Sequence, residues 1–215
     1  MVRFGLGLWR YPGKLAQGIG VRARLRGVLY RCGCWPVRAE GADRVERVTL
    51  TDGAKTWTEA CDVLACGFHL VPNIELPRLL GCELRAGAVR VGEWQQTTVP
   101  GVFCAGEPTG IGGAECALVE GRIAGLAAAD LPNAASRFAT RRAAWHRFRD
   151  ALNAAFSLRP ELRRLAAADT VICRCEDVRR AALEPWTDWH AAKLHTRCGM
   201  GACQGRTCGA AARFL

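Results

Sequence analysis

The sequence contains no apolar run long enough to cross a membrane. A spanning helix needs about 18 to 20 consecutive apolar residues, and glycines or charged residues interrupt every apolar stretch of this 215-residue chain. The N-terminal residues also lack the basic-then-apolar layout that is typical of a secretory leader. The sequence therefore predicts no membrane span and a cytoplasmic location with reduced thiols.

Acidic residues are scarce relative to basic ones. The chain has 20 Asp and Glu against 30 Lys and Arg, which gives a net charge of +10. Such an excess suits a nucleic-acid-binding protein, but the basic residues are spread along the chain and form no single run. Partner docking or an anionic cofactor explains the charge equally well. Half of the residues are apolar, so the chain can form one ordinary domain with a sizeable core and a smaller second one.

Cysteine, by contrast, is abundant and unevenly distributed. Five of the twelve cysteines form a C-x-C pair followed by a C-x4-C-x4-C run, at Cys173, Cys175, Cys198, Cys203 and Cys208. Glycines occupy positions 199, 201, 205 and 209 of the same segment. A structural cysteine is a small buried apolar residue with no tendency to cluster with glycine. Because thiolates bind iron and zinc, and glycine lets backbone N–H groups reach the sulfur atoms, the segment predicts a metal or cluster site.

The spacing of these cysteines leaves the kind of metal site open. A structural zinc site accepts C-x4-C, but C-x-C is tighter than the knuckles that zinc ribbons normally use. An iron–sulfur cluster requires four thiolates, and five are available. A disulfide framework is typical of secreted chains. Cys32 and Cys34 form a second C-x-C, but no partner pair lies nearby in sequence, so no metal site is assigned to them.

A second segment with chemical meaning ends in a glycine and a carboxylate. Val102–Ala105 predicts a short apolar strand, Gly106 allows another backbone or a ligand to come close, and Glu107 follows directly. In open α/β sheets, ligands bind at the carboxyl ends of the strands. This pattern therefore predicts a ligand site around Gly106 and Glu107.

A glycine-rich turn leads from this strand into a helix. The glycines are Gly110, Gly112 and Gly113, and the predicted helix runs from Ala114 to about Ala129. The N-terminus of a helix presents unpaired N–H groups and a partial positive charge. Small residues recur every four positions along one face of the helix, at Gly113, Ala117, Gly121 and Gly125. Such a face suits either a flat ring or close packing against another element.

The remaining patterns predict further strands and helices. Alternating apolar residues predict a meander of strands over residues 28–30, 34–39, 44–50 and 55–59, with a turn at Asp52-Gly53, and a buried strand over 61–67. Helical patterns are found over residues 15–25, 134–156, 177–183 and 189–196. The 134–156 helix is amphipathic, with an apolar face that contains Phe138, Trp145, Phe148, Leu152 and Phe156. That face indicates packing against a core or against another protein chain.

The cysteine-rich segment resembles a known cluster-binding domain. Its runs Cys173-Arg-Cys175-Glu-Asp-Val and Thr196-Arg-Cys-Gly-Met-Gly-Ala-Cys-Gln-Gly-Arg-Thr-Cys208-Gly are similar to the [2Fe-2S] domain related to bacterioferritin-associated ferredoxin. That domain ends several flavoprotein subunits, including those of opine oxidases, D-hydroxyproline dehydrogenases, hydrogen cyanide synthase and some glycerol-3-phosphate dehydrogenases. The resemblance implies that Cys173, Cys175, Cys203 and Cys208 ligate the cluster and that Cys198 does not.

A second resemblance connects the earlier segments to flavoproteins. The stretch from Cys61 through Gly67 to Pro72-Asn73, and the motif that begins at Gly106, resemble oxidoreductases of the thioredoxin reductase type. The resemblance implies that the ribityl chain and pyrimidine edge of FAD are received by Gly106, Glu107, Gly112, Gly113 and Ala114. Glu107 replaces the commoner aspartate and should still accept a hydrogen bond from a ribityl hydroxyl.

These resemblances predict an α/β fold: a partial flavoprotein with two dinucleotide-binding domains, followed by a small, mainly helical [2Fe-2S] domain. The expected divisions are a partial nicotinamide and FAD-binding domain at 1–133, an amphipathic helix and connector at 134–168, and the [2Fe-2S] domain at 169–215. No G-x-G-x-x-G follows a strand in this chain, although the resemblance calls for two such fingerprints upstream. We therefore expect the second half of a longer subunit with a partial FAD site. NAD(P) or another adenine nucleotide would bind only in the full-length protein.

The predicted function is electron transfer between a flavin and a [2Fe-2S] cluster. The chain would belong to a flavin-dependent amine, opine or hydroxyproline dehydrogenase, in a hetero-oligomer with a flavin-containing catalytic subunit, without nucleic acid. No side chain has the pattern of a catalytic acid, base or nucleophile, so none is assigned as catalytic. The alternative hypothesis is a non-enzymatic zinc module that binds nucleic acid through its basic surface. Iron and zinc content distinguish the two hypotheses.

Overall fold

A computed structural model of the protein describes residues 2–215. The chain forms two compact units, and each unit is assembled from two separate stretches of sequence. The first unit contains residues 2–30 and 68–157, and the second contains residues 31–67 and 158–215. Both contain helices and strands, which confirms the mixed character of the predicted fold. The predicted division at residues 133 and 168 stays a prediction.

The regular elements are mostly short. In chain order they are α1 (Val2–Gly7), α2 (Pro12–Arg24), β1 (Trp35–Glu40), β2 (Arg47–Thr51), β3 (Thr56–Ala60), α3 (Glu75–Leu79), β4 (Leu84–Arg85), β5 (Ala88–Val89), α4 (Ala114–Ala128), α5 (Pro132–Ser136), α6 (Ala139–Ala155), β6 (Val171–Cys173), β7 (Val178–Arg179), α7 (Arg180–Leu183), α8 (Trp189–Thr196) and α9 (Cys208–Phe214). Every strand pair within residues 2–215 is antiparallel. In the same residues, none of the helices combines the length and apolar character that a membrane span requires.

The core of the first unit lies between α4, α5 and α6. Val119 and Ile123 are one helical turn apart on α4 and are buried together with Ala135 of α5. Four larger side chains pack against this group, namely Trp94, Leu126, Phe138 and Trp145. The predicted helix that begins at Ala114 is thereby confirmed, and its apolar stripe faces the core.

An aromatic cluster fixes the N-terminal residues of the first unit to α6. The ring of Tyr11 lies 5.0 Å from that of Phe148 and 5.7 Å from that of Trp145, centroid to centroid. The Tyr11 hydroxyl donates a 2.8 Å hydrogen bond to the carbonyl oxygen of Ala144. Phe4 reaches the same cluster, 6.1 Å from Phe148. The apolar face predicted for the amphipathic helix is therefore a packing face within this unit.

The amphipathic segment is two helices, not the single helix predicted over 134–156. α5 ends at Ser136 and α6 begins at Ala139, with Phe138 between them. The backbone N–H of Phe138 donates to the carbonyl of Ala135 at 3.0 Å, a tighter turn than that of an α-helix. Ala135 and Phe138 both contact the core on either side of this turn.

The segment that leads into the glycine motif is a loop held by a single bridge. Gln96 and Phe103 form an isolated antiparallel bridge, and the strand predicted over Val102–Ala105 is otherwise absent. Gln95 is fully buried, and its side-chain amide donates to the carbonyl of Cys104 at 3.1 Å. A side chain therefore supplies part of the support that a neighbouring strand would give.

The second unit begins with the predicted meander. β1, β2 and β3 form a three-stranded antiparallel sheet, with Leu50 opposite Pro36 on one side and Trp57 on the other. The Asp52 carboxylate accepts hydrogen bonds from the backbone N–H groups of Ala54 at 2.9 Å and Lys55 at 2.7 Å, which closes the predicted turn.

Two further predicted strands do not form. Residues 28–30 and 61–67 have no regular structure, and Val63 is 80% exposed. A strand needs a neighbour that pairs its N–H and C=O groups along its length, and within residues 2–215 neither segment belongs to a sheet. The prediction of a buried strand over 61–67 is therefore wrong for this structure.

The C-terminal stretch of the second unit combines a small hairpin with three short helices. β6 pairs with β7, and α7 follows β7 directly, so the helix predicted over 177–183 starts only at Arg180. The helix predicted over 189–196 is confirmed as α8, where the Asp188 carboxylate accepts a 2.9 Å hydrogen bond from the N–H of Ala191. Cys173, Val178, Cys198 and Cys208 form the buried centre of this region.

We predict that Phe148→Ala destabilises the first unit much more than Phe156→Ala. Phe148 is 7% exposed and contacts three other rings, so its truncation should cost about 3–5 kcal/mol. Phe156 is 46% exposed, so Phe156→Ala should lower the free energy of unfolding by about 1 kcal/mol. Urea denaturation followed by circular dichroism measures both. Equal losses would show that the aromatic cluster does not anchor α6.

Candidate functional site

The glycine motif of the first unit is an irregular turn placed against α4. Gly106 is buried and has φ +80° and ψ −146°, a conformation that residues with a Cβ rarely adopt. A Cβ at this position would lie 3.2 Å from the Cβ of Ala117. Residues 107–109 form one turn of 3-10 helix, and Gly113 precedes α4 with φ +80°. Glycine at 106 is thus required both by the backbone conformation and by the approach to α4.

The side chain that holds this turn is Glu120 of α4. Its carboxylate is 1% exposed and accepts hydrogen bonds from the backbone N–H of Gly106 at 2.7 Å and the hydroxyl of Thr109 at 3.0 Å. The other oxygen lies 2.7 Å from Nε2 of His146 on α6 and 3.5 Å from Sγ of Cys116. One buried carboxylate therefore connects the glycine turn, α4 and α6.

The titration of Glu120 reflects these contacts. Burial on its own would raise the pKa of Glu120, but hydrogen bonds from His146, Gly106 and Thr109 outweigh it and leave the pKa below its ordinary value. Burial and the neighbouring Glu120 carboxylate raise the pKa of Cys116 to about 12. Near neutral pH the carboxylate is therefore ionised and the thiol protonated.

Neither Glu120 nor His146 was identified from sequence. The sequence carries one signal for Glu120, because it interrupts the apolar stripe of α4 between Val119 and Ile123. A charged residue on a core-facing stripe indicates a buried partner. The identity of that partner depends on how α4 packs against α6, which the sequence pattern does not show.

The residues predicted to receive FAD divide into a buried and an exposed group. Gly106 and Gly112 are buried, and a Cβ at Gly112 would lie 2.9 Å from Sγ of Cys116. Glu107, Gly113 and Ala114 are exposed. The arrangement fits one side of a cofactor site, because a carboxylate and an uncapped helix N-terminus stand at the surface while the glycines allow close approach.

The far part of the small-residue face of α4 is open. Gly121 and Gly125 are exposed, and a Cβ at either position would meet no atom within 4 Å. Leu118 on the same helix is 65% exposed. Of the predicted face, only Ala117 makes a close contact with the glycine motif.

The second unit brings five cysteines of the C-terminal segment together. The sulfur atoms of Cys173, Cys198 and Cys208 lie within 4.8 Å of one another, and all three residues are buried. The thiol of Cys208 contacts both Cys173 and Cys198, and the thiol of Cys175 contacts Cys203. The structure therefore places two of the predicted ligands, Cys173 and Cys208, in a group of three sulfurs with the predicted non-ligand Cys198, and it joins the other two predicted ligands to each other.

Backbone N–H groups surround these sulfur atoms. Gly199, Glu176 and Cys175 donate to Sγ of Cys173. Burial would raise the pKa of Cys173, but these hydrogen bonds outweigh it and lower the pKa below the ordinary thiol value.

The partly exposed Cys203 and the buried Cys198 titrate in opposite directions. The N–H of Thr207, then Cys175 and Gly205, lower the pKa of Cys203 to about 7. Burial and the sulfur atoms of Cys208 and Cys173 raise the pKa of Cys198 to about 12. Burial and the sulfur of Cys173 also raise the pKa of Cys208, so both of these buried thiols retain their protons more strongly than Cys203 does.

The glycines of the segment make this crowding possible. A Cβ at Gly201 would lie 2.3 Å from Cβ of Cys175, an overlap that no adjustment of a flexible group relieves. Gly199 has φ +82°, and a Cβ there would lie 3.1 Å from the ring of Trp189. The chain therefore folds tightly around the sulfur atoms only because these positions lack side chains.

Comparison with known proteins defines the family. Residues 10–125, more than half of the chain, match the model of the pyridine nucleotide-disulphide oxidoreductase family. The protein therefore belongs to this family, as the resemblance at residues 61–73 and 106–114 predicted.

Curated proteins are similar to the chain over most of its length. The chain is 33% identical over 94% of its length to hydrogen cyanide synthase subunit HcnB of Pseudomonas protegens, and 31% identical over 97% to that of Pseudomonas aeruginosa. It is 36% identical over 90% of its length to an opine oxidase subunit of Agrobacterium tumefaciens. The alignments cover 50%, 51% and 43% of these proteins, so the chain spans about half the length of the curated relatives it matches.

We predict that Glu120→Gln loosens the glycine turn. The glutamine side chain would present N–H donors where the present donors require an acceptor. The free energy of unfolding should therefore fall by about 2–4 kcal/mol, and the backbone N–H of Gly106 should exchange faster. The matched control is Glu115→Gln on the same helix, which removes only a partly exposed pair with Lys14 and should cost less than about 1 kcal/mol. Hydrogen exchange and urea denaturation measure both variants.

The parent chain and Glu120→Gln should also differ in their response to acid. Because the pKa of Glu120 is lowered in the folded chain, its contribution is present above the unfolded-state pKa and is lost as pH falls through the folded-state value. Glu120→Gln should lack that part of the acid-induced loss. Equal Gly106 exchange rates in the parent and in Glu120→Gln would show that the carboxylate does not hold the turn.

Proposed function

We propose that this chain is an electron-transfer subunit, or part of one, in an FAD-dependent dehydrogenase complex, and that it carries a [2Fe-2S] cluster. The cluster ligands are Cys173, Cys175, Cys203 and Cys208. The observation that carries the proposal is the convergence of these thiols, with Cys173 and Cys208 in one group of buried sulfurs and Cys175 in contact with Cys203. When bound, the cluster would supply one-electron transfer to or from the flavin.

Two pairs of thiols are the arrangement that a [2Fe-2S] cluster needs. Each of its irons takes two cysteine sulfurs, so four ligands divide into two adjacent pairs. Three sulfurs lie together at Cys173, Cys198 and Cys208, and one iron can take only two of them. Burial and neighbouring sulfur atoms raise the pKa of Cys198 to about 12 and raise the pKa of Cys208 as well. The choice of Cys208 over Cys198 as a ligand therefore rests on the resemblance.

The backbone N–H groups around Cys173 and Cys203 would also help these residues to act as cluster ligands. They donate to the sulfur atoms and so would stabilise the negative charge of a thiolate-bound cluster. Arg197 also lies close to this loop, where its guanidinium pairs with Glu176 at 2.7 Å. These donors would orient and stabilise the thiolate forms of Cys173 and Cys203.

For the flavin, the proposed contacts are Gly106, Glu107, Gly112, Gly113 and Ala114. The exposed Glu107 carboxylate would accept a hydrogen bond from a ribityl hydroxyl, and the start of α4 would face the pyrimidine edge. Glu120 and Thr109 act as positioning residues, since they hold the turn that carries Glu107. In the full-length protein, NAD(P) or another adenine nucleotide would bind outside these residues.

The proposed partner is a flavin-containing catalytic subunit. The relatives are named as subunits of hydrogen cyanide synthase and opine oxidase, which supports a hetero-oligomeric complex. Bond chemistry on an amine, opine or hydroxyproline substrate would take place on the partner, and no residue of this chain is assigned as catalytic. Nucleic acid has no role in this proposal.

The ligand assignment predicts the effect of single cysteine replacements. Replacing Cys173, Cys175, Cys203 or Cys208 by Ser should remove most of the visible absorbance of the anaerobically purified chain, because each change deprives an iron of a thiolate. Cys198→Ser is the matched control and should retain the absorbance and about two irons per chain. Loss in Cys198→Ser with retention in Cys208→Ser would show that the ligand set is wrong.

One observation favours a different metal. Three sulfurs within 4.8 Å of one another would also suit a mononuclear tetrahedral site, and zinc forms such sites with cysteine. Metal analysis of the same samples separates the two hypotheses. One zinc per chain with little iron and no sulfide would replace the electron-transfer proposal with the zinc-module alternative.

The flavin contacts predict weak FAD binding by this chain on its own. The described residues supply the ribityl and pyrimidine side of the site, and the sequence has no G-x-G-x-x-G turn for the pyrophosphate. We expect the 215-residue chain to be purified with iron and sulfide but with much less than one FAD. Flavin fluorescence after denaturation measures this. Stoichiometric FAD would show that the contacts named here suffice.

A further inference from the structure

A basic cavity of about 410 Å³ lies in the first unit, beside the glycine turn. Its walls include Arg85 and Arg90 from the β4–β5 hairpin, together with Arg142, His146 and Arg149 of α6 and the side chain of Thr109. We propose that this cavity binds an anion that carries a phosphate or pyrophosphate group. The proposal concerns none of the residues assigned to the cluster or as direct contacts of the flavin.

The helical wall of the cavity is a basic stripe. Arg142, His146 and Arg149 are spaced four and three residues apart, so they share one face of α6. The apolar residues Trp145 and Phe148 occupy a neighbouring face and pack in the aromatic cluster. One side of α6 therefore packs against the core, and another side lines the cavity.

The opposite wall is a tight hairpin. Ala86 and Gly87 both have positive φ, 50° and 80°, and they turn the chain between β4 and β5. Arg85 precedes this turn, and Arg90 follows β5. The hairpin thus brings two cations to the cavity from the side opposite α6.

Positive charge in the cavity exceeds the negative charge available to balance it. Arg90 pairs with Glu83 at 2.6 Å, and Arg149 pairs through Nε with the exposed Asp150 at 3.1 Å. Glu120 is occupied by Gly106, Thr109 and His146. Across residues 2–215, neither Arg85 nor Arg142 forms an ion pair with a carboxylate. An anion would therefore complete the charge balance.

Donor groups suited to an oxyanion remain at the cavity. The three hydrogen bonds of Arg142 to Gly92, Glu93 and Gln95 all leave from Nη1. The terminal nitrogens of Arg149 lie over the glycine turn, with Nη1 3.3 Å from the place that a Cβ on Gly110 would occupy. Guanidinium groups bind phosphate oxygens through two parallel N–H donors. The volume exceeds that of a bare phosphate, which leaves room for an organic part of the ligand.

The test is a calorimetric titration of the full 215-residue chain with inorganic pyrophosphate, and separately with inorganic phosphate, at fixed salt. We expect one site per chain and tighter binding of pyrophosphate. Arg85→Gln and Arg149→Gln should each weaken binding about tenfold or more, because each removes a charge-assisted contact. Arg147→Gln is the matched control, since Arg147 lies on α6 outside the cavity and is exposed. It should change affinity less than about twofold.

This test distinguishes a loss of anion binding from a loss of folding. Arg85 is exposed, so Arg85→Gln should retain the parent circular dichroism spectrum even if Arg149→Gln perturbs the glycine turn. Absence of binding at millimolar pyrophosphate, or equal weakening by Arg85→Gln and Arg147→Gln, would overturn the proposal. The cysteine replacements that test the cluster do not affect this measurement, so the two proposals can fail independently.

Discussion

The first unit depends on the neutralisation of one buried carboxylate. Glu120 is ionised in an environment that excludes water, and such a charge is stable only with donors arranged around it. The donors come from a backbone N–H of the glycine turn, a hydroxyl in that turn and an imidazole on α6. The position of the turn is therefore set by the packing of α4 against α6, together with the Gln96–Phe103 bridge and the Gln95 amide in the preceding segment.

The second unit applies the same principle to sulfur. Its cysteines lie mostly in loops, and the backbone N–H groups of those loops stabilise the thiolates of Cys173 and Cys203. In both units, groups of the main chain compensate negative charge, and glycine permits the close approach that this requires. The geometry of each site therefore depends more on the backbone conformation of its short turns than on the helices beside it.

The sequence predicted the features that depend on local interactions. α4 and α8 were correctly placed because helical periodicity, a preceding glycine or an N-cap aspartate act within a few residues. The convergence of the cysteine segment was also predictable, since five thiols and four glycines share one short stretch. The strands predicted at 61–67 and 102–105 were wrong because pairing depends on a neighbour that an isolated pattern cannot guarantee. The Glu120–His146 contact was missed for a similar reason, since it joins two helices.

The interleaved arrangement of the two units has a consequence for biosynthesis. Trp35 in the meander is covered by the guanidinium of Arg159, 4.1 Å from the ring centroid, and both belong to the second unit. The ribosome releases the meander long before it releases Arg159, so this face of Trp35 stays uncovered while the residues from Pro36 to Arg159 are synthesised. Contacts between residues so distant in sequence form slowly. During translation the meander therefore presents an uncovered tryptophan face until Arg159 emerges.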